Sequence, residues 1–190
     1  NLGITRVKLQ RYAEAEPLLR AALAAEPDQA GAWLALAEAQ QGLARFDAAI
    51  SSFERCFALG SDTATLRAQY AQCLARLGRI PEAMQAYQDA LKRDAKHTAA
   101  LTELGGLYRE AGQFEKAAAC FRRALDSGGD PEVLRYFLAA VTLKEDVASP
   151  PQQYVRQLFD DYAEAFDAHL VQQLGYQGHQ LLIDRLPSEA

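Results

Sequence analysis

The sequence predicts an all-α fold, a solenoid of paired helices, and three observations carry that expectation. Large apolar residues recur every 34 positions, with Leu19, Phe53, Tyr87 and Phe121 in one register. Four positions before each stands a small residue: Ala15, Ala49, Ala83 and Ala117. Within a period the spacing is helical, as in Trp33, Leu36, Ala37 and Gln40 and again in Ala49, Phe53, Cys56 and Phe57, each set presenting one face at 3.6 residues per turn. A register that keeps size and polarity without an insertion marks units that bury their faces against their neighbours.

Taken in order, residues 1–29 make a partial first repeat, 30–63, 64–97 and 98–131 three full ones, and 132–143 a further helix, so that the array fills 1–147. A second small site, Gly3, Ala37, Ala71, Gly105 and Ala139, lies beside Leu2, Leu36, Tyr70, Leu104 and Leu138. Small residues at Ala37 and Ala49 let two helix axes approach closely, and a large residue at either is expected to wedge the pair apart. Tyr12, Phe46, Ile80 and Phe114 share a further register, and the aromatics Phe46 and Phe53 are expected to fill the space toward the next repeat. Gly78 and Gly112 fall at the turn inside a pair, where a left-handed residue costs glycine little. Pro27 and Pro81 mark a helix end and a helix start. Pro17 falls inside the second helix of the first repeat, and a bend or a late start is expected there. Asn1 takes the sixth position of a repeat, so the chain is expected to begin inside a helix with further residues upstream.

These motifs resemble the tetratricopeptide-repeat (TPR) family: Trp33-x2-Leu36-Ala37 with Ala49-x3-Phe53, Leu104-Gly105-x2-Tyr108 with Ala117-x3-Phe121-x2-Ala124, and Ala15 through Pro27. The resemblance covers about residues 1–140. It implies a right-handed superhelix whose first helices line a concave groove that binds a protein or peptide. Transferred position by position, the lining is Leu34, Glu38 and Gln41 in one repeat and Gln69, Gln72 and Arg76 in the next. Thr102, Glu103, Arg109 and Glu110 follow, with Tyr136 and Phe137 at the far end. The carboxylate clamp of chaperone-binding relatives needs lysine, arginine and asparagine; here Leu34, Glu38, Gln69, Ala99 and Glu103 stand at the corresponding sites. An asparagine ladder of the O-GlcNAc transferase type is absent too, Asn1 being the one asparagine.

Composition narrows the function classes. A chain of 190 residues with 49% apolar and 24% charged residues is globular in type. No run approaches the roughly 20 apolar residues that span a bilayer, and the first residues lack the pattern of a signal peptide. No membrane association and a cytoplasmic location are the corresponding expectations. A formal net charge of -5 argues against nucleic acid. Cys56, Cys73 and Cys120 show no ligand spacing and read as core residues, and His97, His169 and His179 are scattered, so no metal site and no catalytic residue are expected.

Beyond Leu138 the repeat dissolves, and Ala148-Ser149-Pro150-Pro151 is a stiff break. Residues 148–190 form a separate aromatic helical segment, with Val155, Phe159, Tyr162, Phe166 and Leu170 in one stripe and a helix end at Gly175. A second short helix is expected over residues 177–186. The string Tyr154-Val155-Arg156-x-Leu158-Phe159-Asp160-x-Tyr162-Ala163-x2-Phe166-Asp167-x-His169-Leu170-x3-Leu174-Gly175-Tyr176 resembles the lead-in to the catalytic domain of TPR-containing class I methyltransferases. That resemblance implies S-adenosylmethionine as cofactor of a longer parent protein. It also implies that Tyr154, Phe159, Tyr162, Phe166 and His169 form a lid over the cofactor cleft. The glycine-rich strand-to-helix turn that would hold the cofactor is not in the sequence, so residues 1–190 are expected to hold no cofactor and no complete active site. The function expected is a protein-interaction module, the substrate- or partner-binding region of such a methyltransferase. The alternative is a stand-alone TPR scaffold or dimerisation module with a C-terminal capping helix, the C-terminal helices pairing two copies in a homodimer.

Overall fold

In the computed structural model the described residues are 2–142, together with Gln152, Val155 and Arg156. The chain divides into two units, residues 1–146 and 147–190, and nine described helices belong to the first. They are α1 (Leu2–Lys8), α2 (Tyr12–Ala25), α3 (Ala30–Gly42), α4 (Phe46–Ala58), α5 (Ala64–Arg76), α6 (Ile80–Arg93), α7 (Thr98–Glu110), α8 (Phe114–Asp126) and α9 (Pro131–Thr142). Among the described residues there is no strand, and each helix packs on the next in sequence. The aromatic helices expected after residue 150 lie outside the described residues, apart from those three positions.

The period is written into the helix starts. First helices begin at Ala30, Ala64 and Thr98, and second helices at Tyr12, Phe46, Ile80 and Phe114. The repeated large residues lie between the layers: Leu19, Phe53 and Phe121 are fully buried and Tyr87 nearly so. Ala15, Ala49, Ala83 and Ala117 are fully buried as well, as are Ala37 and Ala71. At Gly105 a Cβ would come within 2.6 Å of the Phe121 ring, and at Gly3 within 2.7 Å of the Leu19 side chain. The small site is therefore where one helix of a pair receives the large residue of the other. In the Tyr12 register, Tyr12 reaches the next repeat, its ring occupying the space where Gly42 lacks a side chain, whereas Phe114 is 48% exposed.

Every turn inside a pair closes in the same way. Gln10, Ala44, Gly78 and Gly112 take φ of 56°, 55°, 74° and 69°. The next N–H in each turn donates back over the helix end: Arg11 to Arg6, Arg45 to Gln40, Arg79 to Leu74 and Gln113 to Tyr108. This is the Schellman arrangement, in which a left-handed residue satisfies carbonyls that the helix leaves open. Two of the four turns place a side-chain-bearing residue there at a cost of about 1–2 kcal/mol, partly offset by the greater freedom glycine loses on folding. Ala44→Gly is therefore expected to raise stability by about 0.5–1 kcal/mol, read as a higher urea midpoint, while Gly78→Ala lowers it.

Pro17 neither delays nor interrupts α2, which begins at Tyr12 and runs through it. The proline removes the N–H that would bond Ala13, but Ala13 and Pro17 are both exposed, and water can take the freed carbonyl. Polar residues tie neighbouring repeats. Glu16 of α2, nearly buried, meets Arg20 at 2.9 Å and Arg45 from the turn of the next pair. Asp62, before α5, accepts two hydrogen bonds from Arg67 at 2.8 and 2.9 Å and another from Arg93 at the end of α6. The Arg67 bonds above all hold its carboxyl down to about 2.

Candidate functional site

The side chains expected to line a groove lie on the first helices α3, α5 and α7, with Tyr136 and Phe137 on α9, and their contacts differ. Gln41 Nε2 donates to Gln72 Oε1 at 2.6 Å, joining α3 to α5 across a repeat boundary. Leu34 and Glu38 are half-buried beside them. Burial pushes the Glu38 carboxyl up, and the Gln69 amide offsets part of that. Arg76 sits over the Phe46 ring at 5.1 Å and Arg109 over Phe137 at 5.4 Å, each guanidinium gaining a cation–π contact. Glu103 and Glu110 are exposed. Thr102 turns its hydroxyl back to the Thr98 carbonyl at 3.0 Å, a bond inside its own helix. Phe137 is 9% exposed and packs on Phe121, with ring centroids 5.2 Å apart. It belongs to the packing between α8 and α9, and half-buried Tyr136 lies beside it at 5.9 Å.

Glu38 carries a stability consequence. Its folded pKa lies above the unfolded one, so the folded state binds more protons between the two, and stability falls as pH rises through that window. Glu38→Gln is expected to stabilise the chain at pH 7 by up to about 0.5 kcal/mol. The gain shrinks as pH is lowered through the ordinary carboxylate range and vanishes below it, where both states are protonated. Thermal melts of the two proteins at pH 7 and below that range check it.

Between α5 and α7 the wall opens into a hollow of ≈ 180 Å³ lined by Thr65, Ala68, Gln69, Gln72, Tyr87, His97, Ala99 and Glu103. His97 caps α7, its Nδ1 accepting from the Ala100 N–H at 3.2 Å, while Nε2 lies 3.4 Å from Thr65 Oγ1. Gln69, Gln72 and Glu103 were expected on the wall from the sequence. Thr65, Tyr87 and His97 were not, although Tyr87 gave a signal, a hydroxyl in a register that is otherwise hydrocarbon at Leu19, Phe53 and Phe121. A different pair of grooves recurs two repeats apart, one lined by Leu23, Trp33, Leu36, Gln40 and Ser52, the other by Leu91, Leu104, Tyr108 and Cys120.

The wall offers amide, carboxylate and guanidinium groups, with the Thr65 hydroxyl and the His97 imidazole in the hollow, a set suited to hydrogen-bonding a peptide. Cys56 and Cys73 are fully buried, and burial pushes each thiol up to about 11, so both are inert packing groups. Among the described residues no group of three or more His, Cys, Asp or Glu is placed to hold a metal ion. No described helix is long and apolar enough to cross a membrane. Tyr154, Phe159, Tyr162, Phe166 and His169, expected as a cofactor lid, lie outside the described residues.

Comparison with known proteins gives the same architecture. The family model described as cytochrome c-type biogenesis protein H TPR domain matches residues 4–129. The chain is 26% identical over 148 residues to tetratricopeptide repeat-containing protein trd-1 of Caenorhabditis elegans, across 76% of this chain and 19% of that protein. It is 33% identical over 130 residues to cellulose synthase operon protein C of Xanthomonas axonopodis pv. citri (strain 306), across 64% of this chain and 9% of that one. The chain thus spans about a fifth or less of the length of the curated relatives it matches. Among solved structures, MamA superposes with a TM-score of 0.69 at 16% identity, over 74% of this chain and 82% of MamA. TTC0263 of Thermus thermophilus, a thermophilic TPR protein, gives 0.60 at 24% identity, over 75% and 78%. YrrB, described as a TPR protein with an unusual peptide-binding site, gives 0.67 at 15% identity, over 84% and 82%. At these identities the likeness is one of fold.

Proposed function

The chain belongs to the tetratricopeptide-repeat family described as the cytochrome c-type biogenesis protein H TPR domain, and we propose that it holds an extended segment of another protein along the wall of α3, α5 and α7. The observation that carries this reading is the Gln41–Gln72 bridge with the half-buried Glu38 beside it. The apolar core is complete without these side chains, and burying Glu38 costs stability. Amides that offer both donors and an acceptor match the alternating N–H and C=O groups of an extended backbone. YrrB, with its described peptide-binding site, is a precedent on the same fold. The test is capture with photo-crosslinking from an extract of the source organism, comparing the full chain with Gln41→Ala/Gln72→Ala on the wall and with Gln85→Ala off it. The expected result is a crosslinked protein lost in the wall variant alone. Equal capture by all three, or no capture at all, would falsify the reading.

A second reading has the motif at 154–176 behind it. In it the wall delivers a methyl acceptor to an S-adenosylmethionine-dependent methyltransferase domain in a longer parent. The family match ends at residue 129, short of that motif. The gene sequence following Ala190 tests this, because absence of a glycine-rich strand-to-helix turn in the next few dozen codons sinks it.

A further inference from the structure

The groove of ≈ 360 Å³ between α6 and α8 has Leu104 and Tyr108 of α7 as its buried floor, with Leu91 and Cys120 at its sides. Leu104 and Tyr108 lie one turn apart, and at about 100° per residue they face away from Thr102 and Arg109 of the same helix. The groove is thus a surface separate from the wall. Its floor follows the repeat: Leu23 and Leu36 hold the same positions in the groove two repeats earlier. In the repeat between, those positions are Phe57 and Tyr70, whose rings stand edge to face with centroids 5.4 Å apart, so larger side chains occupy the volume that the leucines leave open.

The two grooves differ at their rims. Where the first is lined by Ala24 and Ala48, the second has Lys92 and Lys116. Arg55 and Arg123 also correspond, but Arg55 lies over the Trp33 ring at 5.6 Å, whereas Arg123 lines its groove and donates to the Ala95 carbonyl at 3.0 Å. Lys116 donates to Gln113 Oε1 at 2.8 Å and sits 5.4 Å from the centre of the Tyr108 ring. Lys92 meets Asp89 at 2.8 Å. Two of the three cations are therefore held by neutral oxygens, and no carboxylate is among the described side chains that line the groove.

We infer that this groove docks a segment of a partner protein in which an apolar side chain is flanked on both sides by aspartate or glutamate. The apolar side chain enters between Leu91 and Cys120 onto Leu104, and the carboxylates meet the cations at the rim. Lys92 stands on the α6 bank, Lys116 and Arg123 on the α8 bank two helical turns apart, roughly 10 Å. Cations so spread match several carboxylates placed around the apolar group. An acidic peptide brings them on both sides, whereas a fatty acid brings one at the end of its chain. All three cations are exposed, so each pair adds little alone and the set of them supplies the selectivity.

The test uses the full chain and short peptides blocked at both ends, random in sequence except at the centre. The centre is leucine between glutamates, leucine between glutamines, or glycine between glutamates; sodium oleate is the fourth probe. Binding is read by isothermal titration calorimetry. The glutamate-flanked leucine pool is expected to bind roughly tenfold more tightly than either other pool, and raising the salt concentration should erase its advantage over the glutamine pool. Lys116→Gln with Arg123→Gln should cut that advantage to about threefold or less while leaving the glutamine pool unchanged. Lys96→Gln with Arg122→Gln, which removes the same charge outside the groove, should leave it intact. Melting curves of both variants are checked against the wild type. Equal affinity for the glutamate and glutamine pools, an advantage that survives in the groove variant, an equal loss in both variants, or no binding by any pool overturns the inference. Oleate binding that the groove variant abolishes, with no difference among the peptide pools, also overturns it and assigns the groove to a fatty acid.

Discussion

Replacing Phe121 by alanine is expected to cost about 3–5 kcal/mol and to loosen one end of the array while leaving the rest intact. The Phe121 side chain is fully buried, its ring packs against Phe137 of α9, and it fills the space that Gly105 of α7 leaves open. Three helices therefore meet on one ring, and its removal opens a cavity that none of them can fill, because Gly105 has no side chain to move. Repeats in a solenoid touch only their neighbours, so the loss stays local. Hydrogen exchange should show α7, α8 and α9 losing protection while α3 and α4 keep it. A uniform loss along the chain would show that the array unfolds as one unit. The second arm is Gly105→Ala. In the wild type the added Cβ meets the Phe121 ring and should cost about 1–3 kcal/mol. In the Phe121→Ala background it enters the cavity and should be neutral or stabilising. That reversal of sign is the signature of direct contact.

Why so much of this fold was legible follows from what a repeat does to noise. Any one of Leu19, Phe53, Tyr87 and Phe121 is an ordinary apolar residue; the fixed interval made them a layer, and all are buried. Gly78 and Gly112 marked turns because glycine adopts a left-handed backbone freely, but Gln10 and Ala44 adopt the same backbone with nothing in their chemistry to announce it. The family pattern, carried over position by position, placed Gln41, Gln72 and Glu103 on the wall and also Phe137. It could not weigh the competing pull of Phe121, which draws Phe137 into the packing of α9. The Thr102 hydroxyl donates within its own helix for a local reason, since the Thr98 carbonyl stands one turn back. The hollow itself was out of reach, because it depends on Tyr87 arriving from a second helix between two first helices.

The pair Gln40 and Ser52 shows how two repeats answer one position differently, and it yields a sharp expectation. Ser52 Oγ donates to Gln40 Oε1 at 2.7 Å, with Gln40 3% and Ser52 2% exposed. One repeat on, the same positions are Leu74 and Ala86, both buried. Ser52→Ala removes the donor and leaves a buried carbonyl unmatched, for a cost of about 1–3 kcal/mol. Gln40→Leu alone should cost less, because the Ser52 hydroxyl can turn back to the carbonyl of Ala48 one helical turn earlier. Making both changes installs the apolar solution that the neighbouring repeat already uses. The double variant is therefore expected within about 0.5 kcal/mol of the wild type, with a coupling energy of about 1–2 kcal/mol in urea titrations. Additive losses would mean that the hydroxyl and the amide act separately. Recovery in the double variant would mean that the pair is a matched substitute for packing, so its polarity remains available to whatever occupies the groove that both residues line.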